Sequence, residues 1–201
     1  MSGTSFPLME DFYTIQGEGF NTGKAAYFLR LGGCDVGCVW CDVKESWEAE
    51  NHPVVSIEEM LNRVKKSGAD KVVVTGGEPA MYDLLQLTDL FKKNNLSCFI
   101  ETSGAYKITG EWDWICVSPK KYKSPLPESL MLANELKVVV FNKSDFEWAE
   151  KNASMVNKDC LLYLQPEFSV MEKVIPQIID YVKANRQWRI SLQTHRILQV
   201  P

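Results

Sequence analysis

From residue 25 onward, short apolar runs alternate with amphipathic segments, and this alternation limits the folds open to the chain more than any other feature. The runs at 25–31, 71–75, 97–101, 114–118, 135–141, 161–165 and 188–193 read as strands. Between the first two, Ser56 and Glu59 form a capping box, Ile57, Met60, Leu61 and Val64 make one apolar face, and Gly68 supplies the C-terminal stop of a helix. Leu84, Leu87 and Phe91 repeat the pattern in the next crossover, and Phe146 with Ala149 mark a weaker helix. The longest helix carries Val174, Ile175, Ile178, Ile179 and Val182. Strand–helix alternation implies a parallel sheet, and six or seven units fall short of a closed eight-fold barrel. The expected architecture is therefore α/β, a partial TIM-like barrel of about six parallel strands with crossover helices. With 201 residues and no repeat, linker or low-complexity tract, residues 1–201 read as one domain, and the polar stretch 42–51 as a loop.

Charge and hydropathy remove several functional classes. Lys and Arg number 22 against 26 Asp and Glu, so the net charge of -4 offers a nucleic acid no electrostatic attraction. No apolar run approaches the length of a membrane span, and the first residues lack the basic and apolar segments of a secretory signal. A cytoplasmic protein acting on a small molecule is expected.

The six cysteines fall into two groups. Cys98, Cys116 and Cys160 are scattered through apolar segments and read as small core residues. Cys34, Cys38 and Cys41 lie together in GGCDVGCVWCD, where Gly33 and Gly37 allow a tight backbone wrap. Three thiolates on one turn suit a metal. A structural zinc site would need a fourth ligand, and the nearest candidate, His52, lacks any paired Cys or His motif. Three thiolates can instead hold three irons of a 4Fe-4S cluster and leave the fourth iron open to an outside ligand.

The polar residues concentrate just after the strands: Gly32-Gly33-Cys34, Thr75-Gly76-Gly77-Glu78, Glu101-Thr102-Ser103, Ser118-Pro119-Lys120, Gln165-Pro166 and Gln193-Thr194-His195. In a parallel fold the carboxyl ends of the strands share one face, so these groups are expected to ring one mouth that includes the cysteine loop.

Cys34-x-x-x-Cys38-x-x-Cys41 followed by Gly76-Gly77-Glu78-Pro79 resembles the radical S-adenosylmethionine enzymes. That resemblance implies a 4Fe-4S cluster whose open iron is chelated by the methionine moiety, with electron transfer generating an adenosyl radical. A glycine turn exposes carbonyls that accept from an ammonium, which fits the role implied for Gly77.

The likeness extends to Tyr13-Thr14-Ile15-Gln16-Gly17-Glu18-Gly19, Phe28-Leu29-Arg30, Glu101-Thr102-Ser103-Gly104, Val117-Ser118-Pro119-Lys120, Glu135-Leu136-Lys137, Gln165-Pro166 and Gln193-Thr194-His195. Together these are similar to the family of 7-carboxy-7-deazaguanine synthases, over essentially the whole chain. The resemblance implies conversion of 6-carboxy-5,6,7,8-tetrahydropterin to 7-carboxy-7-deazaguanine and ammonia, on the route to queuosine and other 7-deazapurines. It further implies a carbon–nitrogen lyase acting as a homodimer, with an electron donor such as flavodoxin or ferredoxin.

By position, the resemblance puts substrate contacts at Ile15, Gln16, Gly17, Arg30, Thr75 and Pro201, S-adenosylmethionine contacts at Gly77, Glu78, Ser118, Pro119, Lys120 and Gln165, and the cluster on Cys34, Cys38 and Cys41. No side chain is assigned as catalytic, because the radical chemistry is the cofactor's. Arg30 offers a planar fork for a carboxylate, and a structural ion pair is its plainer reading. The carboxylate of Pro201 could accept two parallel N–H groups from an aminopyrimidinone edge, and the apolar Ile197, Leu198 and Val200 suggest a docked segment. His195 could bond near the substrate or be structural. Where the family has a threonine that helps hold Mg2+, this chain has Val43, which offers no oxygen. Glu167-Phe168 follows Gln165-Pro166 where the family often has Met, which leaves contacts beyond Pro166 unassigned.

Two other readings share part of this pattern. A glycyl-radical activating enzyme would have the same cysteine spacing but no use for Gln16-Gly17-Glu18-Gly19. A non-enzymatic iron–sulfur or zinc protein would leave Gly76 to Pro79 without a task.

Overall fold

A computed structural model describes residues 4–201. Nine strands form one sheet: β1 Ser5–Ile15, β2 Ala25–Leu31, β3 Val54–Ser56, β4 Lys71–Gly76, β5 Ser97–Thr102, β6 Trp114–Val117, β7 Glu135–Val140, β8 Leu161–Pro166 and β9 Trp188–Ile190. Their order is β3-β1-β2-β4-β5-β6-β7-β8-β9. From β2 through β9 every neighbouring pair is parallel, whereas β1 runs antiparallel to both β2 and β3. The sheet is open, with β3 and β9 as its two outer edges, so it forms an incomplete barrel.

All seven strands expected from the apolar runs are present, although β9 stops at Ile190. Two more, β1 and β3, have no counterpart among those runs. The β1 sequence SFPLMEDFYTI mixes charges with apolar residues and shifts register between Leu8 and Glu10, which blurs the two-residue alternation. Although β1 ends beside the amino end of β2, Ile15 and the following Gln16 and Gly17 line the cavity.

Helices α1 Ile57–Ser67, α2 Leu85–Lys93, α3 Pro127–Met131, α4 Ser144–Ala153, α5 Met171–Ala184 and α6 Thr194–Leu198 complete the fold. In α1 the Ser56 hydroxyl accepts from the Glu59 N–H at 3.2 Å, and Gly68 adopts a left-handed φ of 77°. Only that half of the capping box forms, because the Glu59 carboxylate pairs with Arg63 at 3.0 Å. Met60, Val64, Leu87, Phe91, Ala149, Ile178 and Trp188 are sealed in the core between helices and sheet. The apolar stripe of α5 is narrower than its sequence suggests: Val174 and Ile178 are buried, whereas Ile179 faces solvent. No helix among the described residues is long and apolar enough to cross a membrane.

Candidate active site

Because β2 and β4 to β9 run the same way, their carboxyl ends open onto a common mouth, where a cavity of about 280 Å³ lies. All six strand-end groups named above contribute to its border, and Lys137 and Val139 add the inner face of β7.

One side of the cavity is the cysteine loop. It is built on backbone: the Gly33 N–H donates to the Ser46 carbonyl at 2.6 Å, Cys34 to Trp47 at 3.0 Å, and Cys41 to Cys38 at 3.1 Å. The Gly76-Gly77-Glu78 turn is laced onto the same loop, since the Gly77 N–H donates to Leu31 and the Glu78 N–H to Gly33, both at 2.9 Å. A Cβ on Gly77 would sit 2.3 Å from the Gly33 carbonyl oxygen, so the glycine is required by close approach. With these N–H groups engaged, the turn is left with carbonyls to offer a ligand. The Glu78 side chain is inside the fold, where it accepts from the Ser103 N–H at 2.7 Å, the Ala80 N–H at 3.0 Å, and the hydroxyls of Thr102 and Ser103. It therefore ties the turn to the end of β5.

Cys34, Cys38 and Cys41 all border the cavity. Burial pushes the thiols of Cys34 and Cys38 up, and the neighbouring sulfurs push them further. Among the described residues no three Cys, His, Asp or Glu side chains gather closely enough to hold a single ion. A four-iron cluster makes a different demand, one thiolate on each of three irons, and three soft sulfurs on one loop beside an open cavity fit it. His52 is engaged elsewhere, with its Nε2 2.8 Å from the Glu45 carbonyl. Lys120 donates to the Ser118 hydroxyl at 2.6 Å and lies 5.4 Å from the Trp40 ring centroid. Pro119 does not border the cavity; its carbonyl accepts from the Trp148 indole at 3.3 Å.

The opposite wall is built from charged side chains. Lys137, almost fully buried on β7, binds Glu18 and, at 3.1 Å, Glu101. Gln16 donates to Glu101 at 2.7 Å and accepts from the Glu18 N–H at 3.0 Å, while Gln193 donates to Glu18 at 2.8 Å. Burial alone would raise the Glu18 carboxyl, but the Lys137 ammonium and hydrogen bonds from Lys137, Gln193 and Gln165 outweigh it and hold the group at about 2. Burial works against the Lys137 charge, yet Glu101 and Glu18 raise its pKa well above the ordinary lysine value. Gln165 accepts from Ser191 at 2.7 Å and is buried.

Arg30 borders the cavity and donates through Nε to Glu10 at 2.7 Å, so the ion pair read as its plain role exists. Its Nη atoms carry no hydrogen bond among the described residues. Thr75 and Val43 also line the cavity. The segment 194–201 returns across the mouth: Thr194 donates to the Gly17 carbonyl through N–H at 2.9 Å and hydroxyl at 3.0 Å, Arg196 pairs with Asp42 at 3.4 Å, and the Thr14 hydroxyl reaches the Pro201 carbonyl at 3.3 Å. Polar bonds hold it. The expected apolar docking does not occur, since Ile197 and Leu198 are 74% and 56% exposed.

Comparison with known proteins now bears on this geometry. Residues 29–112 match the model of the Radical SAM superfamily. The 7-carboxy-7-deazaguanine synthase of Flavobacterium psychrophilum is 55% identical over 99% of this chain and 94% of its own. That of Synechocystis is 45% identical over 98% and 94%. The chain belongs to the 7-carboxy-7-deazaguanine synthase family. The crystal structure of QueE from Escherichia coli superposes with a TM-score of 0.85 at 37% identity, covering 95% of each chain. Membership carries with it the radical S-adenosylmethionine domain, and hence a 4Fe-4S cluster and S-adenosylmethionine.

Of the residues expected at the site of this synthase-family chain, all but Pro119 border one cavity. The sequence reading gave no role to Glu18, Glu101 and Lys137, which form the charged wall. A signal was present: Lys137 interrupts an otherwise apolar run on an interior strand, and a lysine there must be paired to be tolerated.

Proposed function

We propose that this protein converts 6-carboxy-5,6,7,8-tetrahydropterin to 7-carboxy-7-deazaguanine and ammonia. Substrate and products together differ by no net oxidation, so the conversion needs no stoichiometric oxidant or reductant. The observation that carries the reading is the single cavity bordered both by three cysteines and by a polar wall suited to a heterocycle, in a chain homologous over its length to named synthases.

Cys34, Cys38 and Cys41 would hold the cluster, with Gly77, Ser118 and Lys120 beside S-adenosylmethionine; together these supply a carbon-centred radical that removes hydrogen from the substrate. Glu78 and Gln165 act there by fixing the turn and the end of β8. Across the cavity, the Nη pair of Arg30 suits the substrate carboxylate, since Nε is already engaged by Glu10. Gln16 uses one amide hydrogen on Glu101 and keeps the second for a ring acceptor. Ile15, Gly17, Thr75 and Pro201 complete the substrate border, and His195 and Arg196 of segment 194–201 lie along it.

The same reading includes a single domain over residues 1–201, a cytoplasmic homodimer, an electron donor such as flavodoxin or ferredoxin, and a place in queuosine or other 7-deazapurine synthesis. The single domain and the cytoplasmic location rest on length and hydropathy, and the homodimer, the electron donor and the pathway rest on the family resemblance. Magnesium, if used, would be held by substrate and water, because Val43 has no oxygen to give.

The test is anaerobic. Reconstituted protein supplied with reductant, S-adenosylmethionine and the carboxylated tetrahydropterin is expected to release the deazaguanine and ammonia. Four bound irons with no small-molecule product would refute the assignment, and turnover only with a peptide partner would replace it with the activating-enzyme reading.

A further inference from the structure

Four hydrogen bonds at the inner wall close on themselves. The Lys137 ammonium binds Glu18 and, at 3.1 Å, Glu101; the other oxygen of Glu101 accepts from the Gln16 amide nitrogen at 2.7 Å; and the Gln16 amide oxygen accepts from the Glu18 N–H at 3.0 Å. The ring therefore runs Lys137, Glu101, Gln16, Glu18 and back to Lys137. All four residues border the cavity. Two of them come from the loop after β1, one from β5 and one from β7, so the ring joins three separate parts of the sheet at the point where a substrate would sit.

An amide side chain has two orientations that differ by exchange of oxygen and nitrogen, and a partner at each end decides between them. Gln16 has both partners. One of them, Glu101, is shared with Lys137, as is the side chain of Glu18. Without the ammonium the two carboxylates would lie in a half-buried pocket with no opposing charge between them, and would move apart or take up protons. Either change would loosen the Glu101 end of Gln16 and leave only the Glu18 N–H to orient its amide.

We propose that Lys137 is a positioning residue for substrate recognition, closing a ring that fixes which face of the Gln16 amide meets the heterocycle. This rests on the functional reading above and adds a residue to it. Lys137 does not touch the reacting atoms; it acts through Glu101 and Glu18. Its charge and that of Glu18 persist over the working pH range, since Glu18 titrates at about 2 and Lys137 above the ordinary lysine range.

The experiment compares Lys137→Met with wild type in steady-state kinetics, alongside iron content and S-adenosylmethionine affinity. The expected result is a KM for the tetrahydropterin raised roughly tenfold or more, with cluster content and S-adenosylmethionine affinity within about twofold of wild type. That split marks a recognition role, because a general loss of structure would raise the KM and also lower cluster content and S-adenosylmethionine affinity. A tetrahydropterin KM within about twofold of wild type would overturn the proposal, as would an equal loss of S-adenosylmethionine affinity. Should Lys137→Met fail to fold, the double variant Lys137→Met/Glu18→Gln restores the wild-type buried charge. Its KM should then exceed that of Glu18→Gln by roughly tenfold, and equal values would overturn the proposal. A wild-type protein that never converts the tetrahydropterin would instead sink the functional reading, and this inference with it.

Discussion

The two sides of the cavity are made by different means. On the cysteine side, main-chain hydrogen bonds join Gly33, Cys34, Gly77 and Glu78 to their neighbours, and close contact at Gly77 leaves no room for a side chain. On the opposite side, a buried lysine organises two carboxylates and a glutamine. The first arrangement is a matter of shape; the second is a matter of charge. A cluster needs its sulfurs held at a fixed spacing on a loop, which backbone does well. Recognition of a polar ring needs donors and acceptors aimed in particular directions, which paired side chains do well.

This contrast can be broken in graded ways. Cys34→Ser is expected to lower product formation by roughly a thousandfold or more while the fold persists, because the loop is held by its backbone; iron content and circular dichroism check both halves of the statement. Glu78→Ala would leave the Thr102 and Ser103 hydroxyls and two N–H groups without their acceptor. A loss of about 2–3 kcal/mol in urea unfolding is expected. Gly77→Ala should weaken S-adenosylmethionine binding about tenfold, since the new Cβ must displace the Gly33 carbonyl. Its penalty should be the same at pH 6 and pH 8.

The charged wall responds to acid instead. The folded Glu18 carboxyl, at about 2, lies below its ordinary value of 4.5, so its stabilising contribution is complete above that value and is lost as pH falls toward 2. The thermal midpoint should decline over that interval, and Lys137→Met/Glu18→Gln should flatten the decline. The smallest effect is expected from Val43→Thr. Wild-type rate should vary by less than about twofold on magnesium titration, and the added hydroxyl should introduce a dependence.

Much of the fold could be read before any coordinates, for reasons visible in particular residues. Val72, Val73 and Val74 are fully buried on an interior parallel strand, and such strands appear as continuous apolar runs. The α1 face of Ile57, Met60, Leu61 and Val64 repeats at helical spacing and is buried as expected. The strand β1 is less legible because its register shifts and its charged residues find partners distant in sequence, Asp11 with Arg63 and Glu10 with Arg30. The short helix α6 offered too few residues for a period to show.

The site divides in the same way. Cys34, Cys38, Cys41 and the Gly76-Gly77-Glu78 turn are contiguous, so local spacing announced them. The ring through Gln16, Glu18, Glu101 and Lys137 joins residues as many as 119 positions apart, and no local pattern encodes such a meeting. Ile197 and Leu198 misled for the opposite reason: apolar character in a short terminal helix suggested burial, whereas polar bonds from Thr194, Arg196 and Thr14 secure the segment.

A sheet that stops short of closing keeps two open margins, and here each is a strand of only three residues, Val54–Ser56 and Trp188–Ile190. Each of these short strands presents few main-chain groups, but β3 pairs with only Ser5–Pro7 of β1 and leaves the outer side of residues 10–15 beyond its ladder. On that stretch Glu10 and Asp11 place charge along the margin, which discourages a stray strand from joining it while the barrel stays open for a bulky cofactor and substrate.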